Sequence, residues 1–127
     1  MRRHGFIVIL GCVFFLDSCR FIPENKSGAE LYSEKCASCH GFKGEGVRQL
    51  IPAVNNPERL KAWGDSLPCL LRYGIKGRPE KGNQPMPGFP ELEADDAAAI
   101  WQHLWALAGQ SDKKITLADV RRSGCMD

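Results

Sequence analysis

Long apolar runs are missing from this chain. The longest, residues 6–16 (FIVILGCVFFL), has 11 residues; at ~1.5 Å per residue it covers roughly half of the ~30 Å hydrocarbon core of a bilayer. A membrane-spanning helix over that stretch is excluded. An excess of charge of one sign is missing too: 17 Lys and Arg stand against 15 Asp and Glu. With no basic run and no basic patch studded with aromatics, nucleic-acid binding has no support. No convincing β-run is present, and neither is an internal repeat or a low-complexity tract, which removes sheet and solenoid architectures. Histidine and methionine are scarce, with three of each. A site that needs an imidazole and a thioether therefore has few residues to choose from.

What the chain does contain starts with a leader. Arg2, Arg3 and His4 form a basic segment before residues 6–16, and a short apolar run behind a basic start reads as a secretory signal rather than an anchor. Leu16-Asp17-Ser18-Cys19 follows and resembles a bacterial lipoprotein box, which implies cleavage after residue 18 and acylation of Cys19. Two acyl chains anchor stably where one is marginal. Ordinary cleavage nearby, leaving a freely diffusing periplasmic protein, is the alternative. The expected organisation is a signal peptide at 1–18, a tether at 19–26 and one domain at 27–127, since the remaining length suits a single domain.

Of the six cysteines, Cys12 leaves with the signal. Cys36-Ala37-Ser38-Cys39-His40 is the C-x-x-C-H signature of covalent haem c attachment. On a helix, positions i, i+3 and i+4 share a face. Cys36 and Cys39 can then form thioethers to the two haem vinyl groups while the His40 imidazole reaches the iron. A redox dithiol or half of a zinc site is the other reading, but it needs a thioredoxin-like pattern or a second ligand pair, and neither is visible. Haem c is attached outside the cytoplasm, in agreement with the leader. Cys69 and Cys125 remain, and an even remainder in an oxidising compartment suggests a disulfide. That bridge would contribute ~2–4 kcal/mol; two separate buried thiols are the alternative.

The expected elements are all helical. Ser27 with Glu30 forms a capping box for a helix that carries Leu31 and Tyr32 and delivers the haem motif at its end. Residues 41–57 are punctuated by Gly, Pro and Asn and read as loop. A short turn of helix is expected at 57–62. A second helix starts at Ser66 or Leu67 and is ended by Gly74 or Gly77. Residues 78–90 hold four prolines and read as loop. The strongest helix spans 91–108, with an acidic first turn and an apolar stripe through Ala97, Ile100, Trp101, Leu104, Trp105 and Ala108. Thr116 with Asp119 caps a last short helix. So small a domain with so much loop needs a staple, and a covalent haem supplies one.

His40 leaves the other face of the iron open. After the leader, the remaining candidates are Met86, Met126 and His103. Met86 stands between Pro85 and Pro87, which stiffens the loop. Closing the chain from His40 to Met86 costs only about 3 kcal/mol plus a constant. His103 sits mid-helix at the edge of the stripe, and Met126 adjoins Cys125. His40 and Met86 are therefore the expected axial pair. That pair raises the reduction potential relative to bis-nitrogen ligation and leaves no open position for a substrate. Electron transfer is expected rather than catalysis, with no small-molecule substrate. The Pro52 carbonyl is a candidate acceptor for the second ring nitrogen of His40; a plain turn proline is the alternative.

Together these residues resemble a class I (monohaem) cytochrome c of bacterial lipoprotein type. The resemblance runs over about residues 27–109 and rests on Gly28, Leu31, Tyr32, Cys36, Cys39, His40, Pro52, Met86, Pro87, Phe89 and the long helix near the C-terminus. It implies an all-α fold of short helices and long loops around one haem. Gly28 and Tyr32 of the first helix would cross the last helix near Ile100, His103 and Leu104. It also implies a tie between Cys69 and Cys125 and a partly exposed haem edge near the Met86 loop where redox partner proteins dock. Lys76, Arg78 and Lys81 stand just before that loop and can speed encounter with an acidic partner; a solvated loop is the alternative. The expected function is a single-electron carrier tethered on the periplasmic side of a bacterial membrane. The alternative is a dedicated haem c subunit of an oxidoreductase complex.

Overall fold

Short apolar stripes separated by glycines and prolines leave little room for regular structure, and the described residues form six brief α-helices joined by tightly hydrogen-bonded loops. The structure, a computed structural model, describes residues 25–77, 82 and 84–126. The signal peptide, Cys19 with most of the tether, and Arg78 and Lys81 lie outside the described residues. In order come α1 (Gly28–Lys35), α2 (Ala37–His40), α3 (Pro57–Trp63), a single 3-10 turn (Gly64–Ser66), α4 (Leu67–Tyr73), α5 (Ala94–Leu107) and α6 (Leu117–Arg121). The expected all-α architecture is present. Among the described residues the only β-type pairings are two isolated bridges, Val47 with Ile51 and Ile75 with Met86. No helix of the described residues is long and apolar enough to cross a membrane.

Local sequence explains where the helices start. At α1 the Ser27 N–H donates to the Glu30 carboxylate at 2.8 Å and the Glu30 N–H donates to the Ser27 hydroxyl at 3.3 Å. Thr116 and Asp119 repeat the arrangement at α6, and the Asn56 side chain accepts from Arg59 N–H at α3. The strongest helix is shorter than its pattern predicts. It begins at Ala94 instead of residue 91, because the Glu93 N–H is taken by the Asp96 carboxylate. Leu92 N–H bonds back to Phe89 and the Leu92 side chain enters the core. Two further differences are small. The first helix breaks at Cys36, whose φ of −118° separates α1 from α2, and α3 runs one residue further than expected, to Trp63.

The core forms where α1 lies across α5. Gly28 makes that approach possible: a Cβ there would sit 2.0 Å from the Ala99 carbonyl oxygen. One turn on, the Tyr32 ring meets His103 with centroids 5.2 Å apart and planes tilted by 54°. Ile100, Trp101, Leu104 and Trp105 of the expected stripe are buried, with Leu60 and Leu71 packed beside them. The segment after α5 closes the other side. Gln102 holds it, bonding to Lys113 O and accepting from Ile115 N–H at 2.9 Å. Val120 and Met126 are buried. Cys125 is bonded to Cys69 of α4, with Cα atoms 5.3 Å apart.

Candidate functional site

Residues far apart in sequence meet on one cavity of about 1070 Å³, at the upper end of the ~300–1,000 Å³ usual for ligand sites. Its walls include Cys36, Cys39, His40, Pro52 and Met86. Leu67, Leu71, Ile100, Leu104 and Phe89 make most of the rest apolar. His103 and Met126, the other ligand candidates, do not line it: His103 stacks on Tyr32 and Met126 is in the core.

His40 is buried and its ring orientation is set. Nδ1 lies 2.9 Å from the Pro52 carbonyl oxygen, a contact that is a hydrogen bond only when Nδ1 carries the proton. The Nε2 lone pair is then free, as a metal-bound imidazole requires. Pro52 is thus an acceptor as well as a turn residue. Gly46 brings it into place: with φ at +67°, its Cα approaches residues 51–53 so closely that a Cβ would lie 2.4 Å from Ile51 O. The Gly46 N–H also donates to His40 O at 2.7 Å. The Gly/Pro loop after the motif therefore holds the imidazole.

Met86 is fixed by more than its prolines. Its N–H donates to Ile75 O at 3.0 Å and its carbonyl accepts from Ile75 N–H at 2.9 Å. Pro85 and Pro87 have no N–H to offer, so Met86 carries the single donor of the triplet. Close backbone contact makes the pairing possible. A Cβ on Gly74 would lie 2.3 Å from Met86 O, one on Gly77 2.4 Å from Pro85 N, and one on Gly88 2.6 Å from Arg72 O. The sequence reading missed this strap; its signal was the glycines at 74, 77 and 88 flanking the Pro-Met-Pro triplet.

The cysteines differ in exposure. Cys36 is buried and Cys39 exposed. Burial pushes the Cys36 thiol up to about 11, the reverse of the lowered value on which a redox dithiol depends. Among the described residues, no three His, Cys, Asp or Glu side chains converge as a metal-ion site, so the zinc reading finds no second ligand pair there. Four cations and no carboxylate line the cavity among the described residues. Lys35 is paired with Glu91 at 2.7 Å, leaving Arg48, Arg59 and Lys76. Arg48 has φ +46°, an uncommon backbone state of the kind that gathers at functional sites.

A haem would fit these residues. The cavity has the size and apolar lining, two thiols line it in attachment spacing, an imidazole oriented by Pro52 and a thioether share its walls, and cations without an ion pair among the described residues suit the carboxylates of a propionate-bearing ring. The model of the family described as "Cytochrome C oxidase, cbb3-type, subunit III" matches residues 23–104. The chain belongs to this family. Comparison with curated proteins gives no match. The matched span covers the haem motif, Pro52 and Met86 and stops within α5, leaving α6 and Cys125 outside it. Family membership makes this a haem- and electron-transfer-related chain.

Tyr32 supports the motif from behind. Its hydroxyl donates to Gly41 O, immediately after His40, at 2.6 Å. Burial, with smaller contributions from Cys36 and Glu45, pushes the phenol up to about 12 from ~10 in an unfolded chain. The fold favours the neutral phenol, so its contribution is complete below pH ~10 and is lost as pH rises through 12. Tyr32→Phe should remove that alkaline loss and cost about 1 kcal/mol at neutral pH through the abandoned carbonyl. Denaturant midpoints at pH 7 and near pH 11 check both parts; equal alkaline loss in both proteins would exclude Tyr32 as its source.

Proposed function

We propose that this chain is a haem c electron-relay subunit of a cytochrome oxidase-type complex, passing single electrons and carrying out no catalysis itself. The observation that supports it most is the buried His40 ring, held by Pro52 with Nε2 free on a cavity that Met86 also lines. In this reading the fold is a cytochrome c wrap, Cys36 and Cys39 would hold one haem through thioethers, and His40 and Met86 would ligate its iron. When bound, the haem iron supplies a one-electron Fe(III)/Fe(II) couple. The chain's residues do the rest. The Pro52 carbonyl holds the imidazole proton at Nδ1, Ile75 keeps the Met86 segment in register, Arg48 and Arg59 would meet the carboxylates, and the apolar walls would exclude water. Family membership favours a place in a complex over the free, tethered shuttle. Acylation of Cys19 would hold the subunit at the periplasmic face of the membrane.

Purification of the tagged full-length chain from its native membranes in mild detergent tests this. A haem retained after denaturation, together with a near-stoichiometric oxidoreductase, is the expected result. A haem-loaded chain recovered alone, and reduced and reoxidised by exchangeable partners, would return the free carrier. Loss of the haem on denaturation would refute covalent attachment by Cys36 and Cys39.

A further inference from the structure

The strap that carries Met86 lies on α4, and α4 is a weak support by itself. It has seven residues and no side-chain cap at its start, whereas helices shorter than ~12–15 residues are marginal in water without tertiary contacts. The strap depends on it at three points. Phe89 N–H donates to Leu71 O at 2.8 Å. Gly88 runs so close that a Cβ there would sit 2.6 Å from Arg72 O. Ile75, just past the Gly74 that ends the helix, makes both hydrogen bonds to Met86. Leu67 and Leu71 of the same helix line the haem cavity. Whatever fixes α4 therefore fixes the place from which Met86 is presented.

The other side of α4 is held covalently. Leu67 and Leu71 are four residues apart and share a face. Cys69 lies two residues from each, so it faces away from that side, and it is bonded to Cys125. The segment that delivers Cys125 is itself anchored. The Ser123 hydroxyl donates to Val120 O at 2.7 Å and accepts from Cys125 N–H at 3.1 Å. Val120 and Met126 are buried, and Gln102 of α5 binds residues 113 and 115 ahead of α6. Among the described residues, none after Leu104 lines the haem cavity, and the family match also ends at residue 104.

We propose that Cys69 and Cys125 are positioning residues for the Met86 side of the haem cavity. Their bridge fixes α4 against the C-terminal segment, and α4 in turn fixes the Ile75–Met86 pairing that presents the thioether. A segment that does not line the cavity thus controls how firmly one of its walls is held. The hold on the strap is independent of the iron; its effect at the iron rests on Met86 as ligand.

The test compares the reduced, haem-loaded protein with its Cys69→Ser, Cys125→Ser variant. Hydrogen exchange of the Ile75, Met86 and Phe89 amides, followed by ¹⁵N NMR, should quicken about tenfold or more, because a helix held at fewer points opens locally at lower free energy. Leu104, inside α5, is the reference amide and should change by no more than about twofold. Carbon monoxide binding should quicken alongside the strap amides. In a Met86→Ala background, removing the bridge should leave that rate unchanged. Where the double serine variant does not fold, the native holoprotein treated with dithiothreitol, blocked with iodoacetamide and freed of reagent gives the same comparison from an already folded chain. Strap amides that stay slow, or that quicken only in step with Leu104, would overturn the proposal. So would carbon monoxide binding that the loss of the bridge accelerates equally with and without Met86. A loosened strap with carbon monoxide binding unchanged in both backgrounds would uphold the brace and remove Met86 from the iron.

Discussion

Replacing Met86 by alanine is expected to leave a folded haem protein whose iron is open on one face. The reduced variant should bind carbon monoxide readily. Its midpoint potential should fall by something on the order of 0.1 V, well within the ~0.8 V that axial ligands span. The sign follows from the thioether, a soft ligand that favours Fe(II). The fold should survive because the segment is held by its backbone. Ile75 pairs with both the N–H and the carbonyl of Met86, and Gly74, Gly77 and Gly88 keep the two strips in contact; none of this uses the side chain. Met86 is half-buried, so the stability lost should be about 2 kcal/mol, the low end for such truncations. Absorption spectra with and without carbon monoxide, and a potentiometric titration, check the outcome. A low-spin spectrum and a potential both unchanged would remove Met86 from the iron.

The means of holding Met86 also marks the limit of what was legible in the sequence. The motif, the helix caps at Ser27 and Thr116 and the stripe on α5 are local patterns, in which one residue's chemistry is answered three or four positions away. Each was readable and each is present. The strap from Gly74 to Gly88 is not local. Its glycines are required by a backbone eight to sixteen residues distant, and a glycine that ends a helix looks the same as one that admits another chain. The start of α5 was misread for a related reason. Glu91 and Leu92 suit a first turn by composition, but Leu92 is claimed by the core and Glu91 by Lys35. Trp101 and Trp105 fit an apolar stripe, and only the burial of their N–H groups without acceptors among the described residues shows that the stripe is not wholly apolar.

Gly28 was legible as a family-like position, and the structure turns that likeness into a number. Gly28→Ala is expected to cost about 3 kcal/mol, at the top of the usual overpacking range of 1–3. Two terms oppose each other. Alanine is the better helix former by ~1 kcal/mol, which alone would stabilise α1. Against this, the new Cβ would lie 2.0 Å from Ala99 O and 2.6 Å from Ala99 C. Both are backbone atoms in the interior of α5, so no side chain can rotate aside and the two helices must separate. Separation would pull Tyr32 from His103 and shift Ile100 and Leu104, which wall the haem cavity. For a domain of this size ~1 kcal/mol moves Tm by about 4–8 °C, so Tm should drop by more than about 10 °C. Gly109→Ala is the matched control: its φ is +76° but a Cβ there meets nothing within 4 Å, so only the conformational penalty applies, about 1 kcal/mol. Calorimetry on the three haem-loaded proteins separates packing from backbone strain. If Gly28→Ala melted no lower than Gly109→Ala, the α1–α5 contact would be looser than 2.0 Å implies, and the helix pair would not be what fixes the cavity wall.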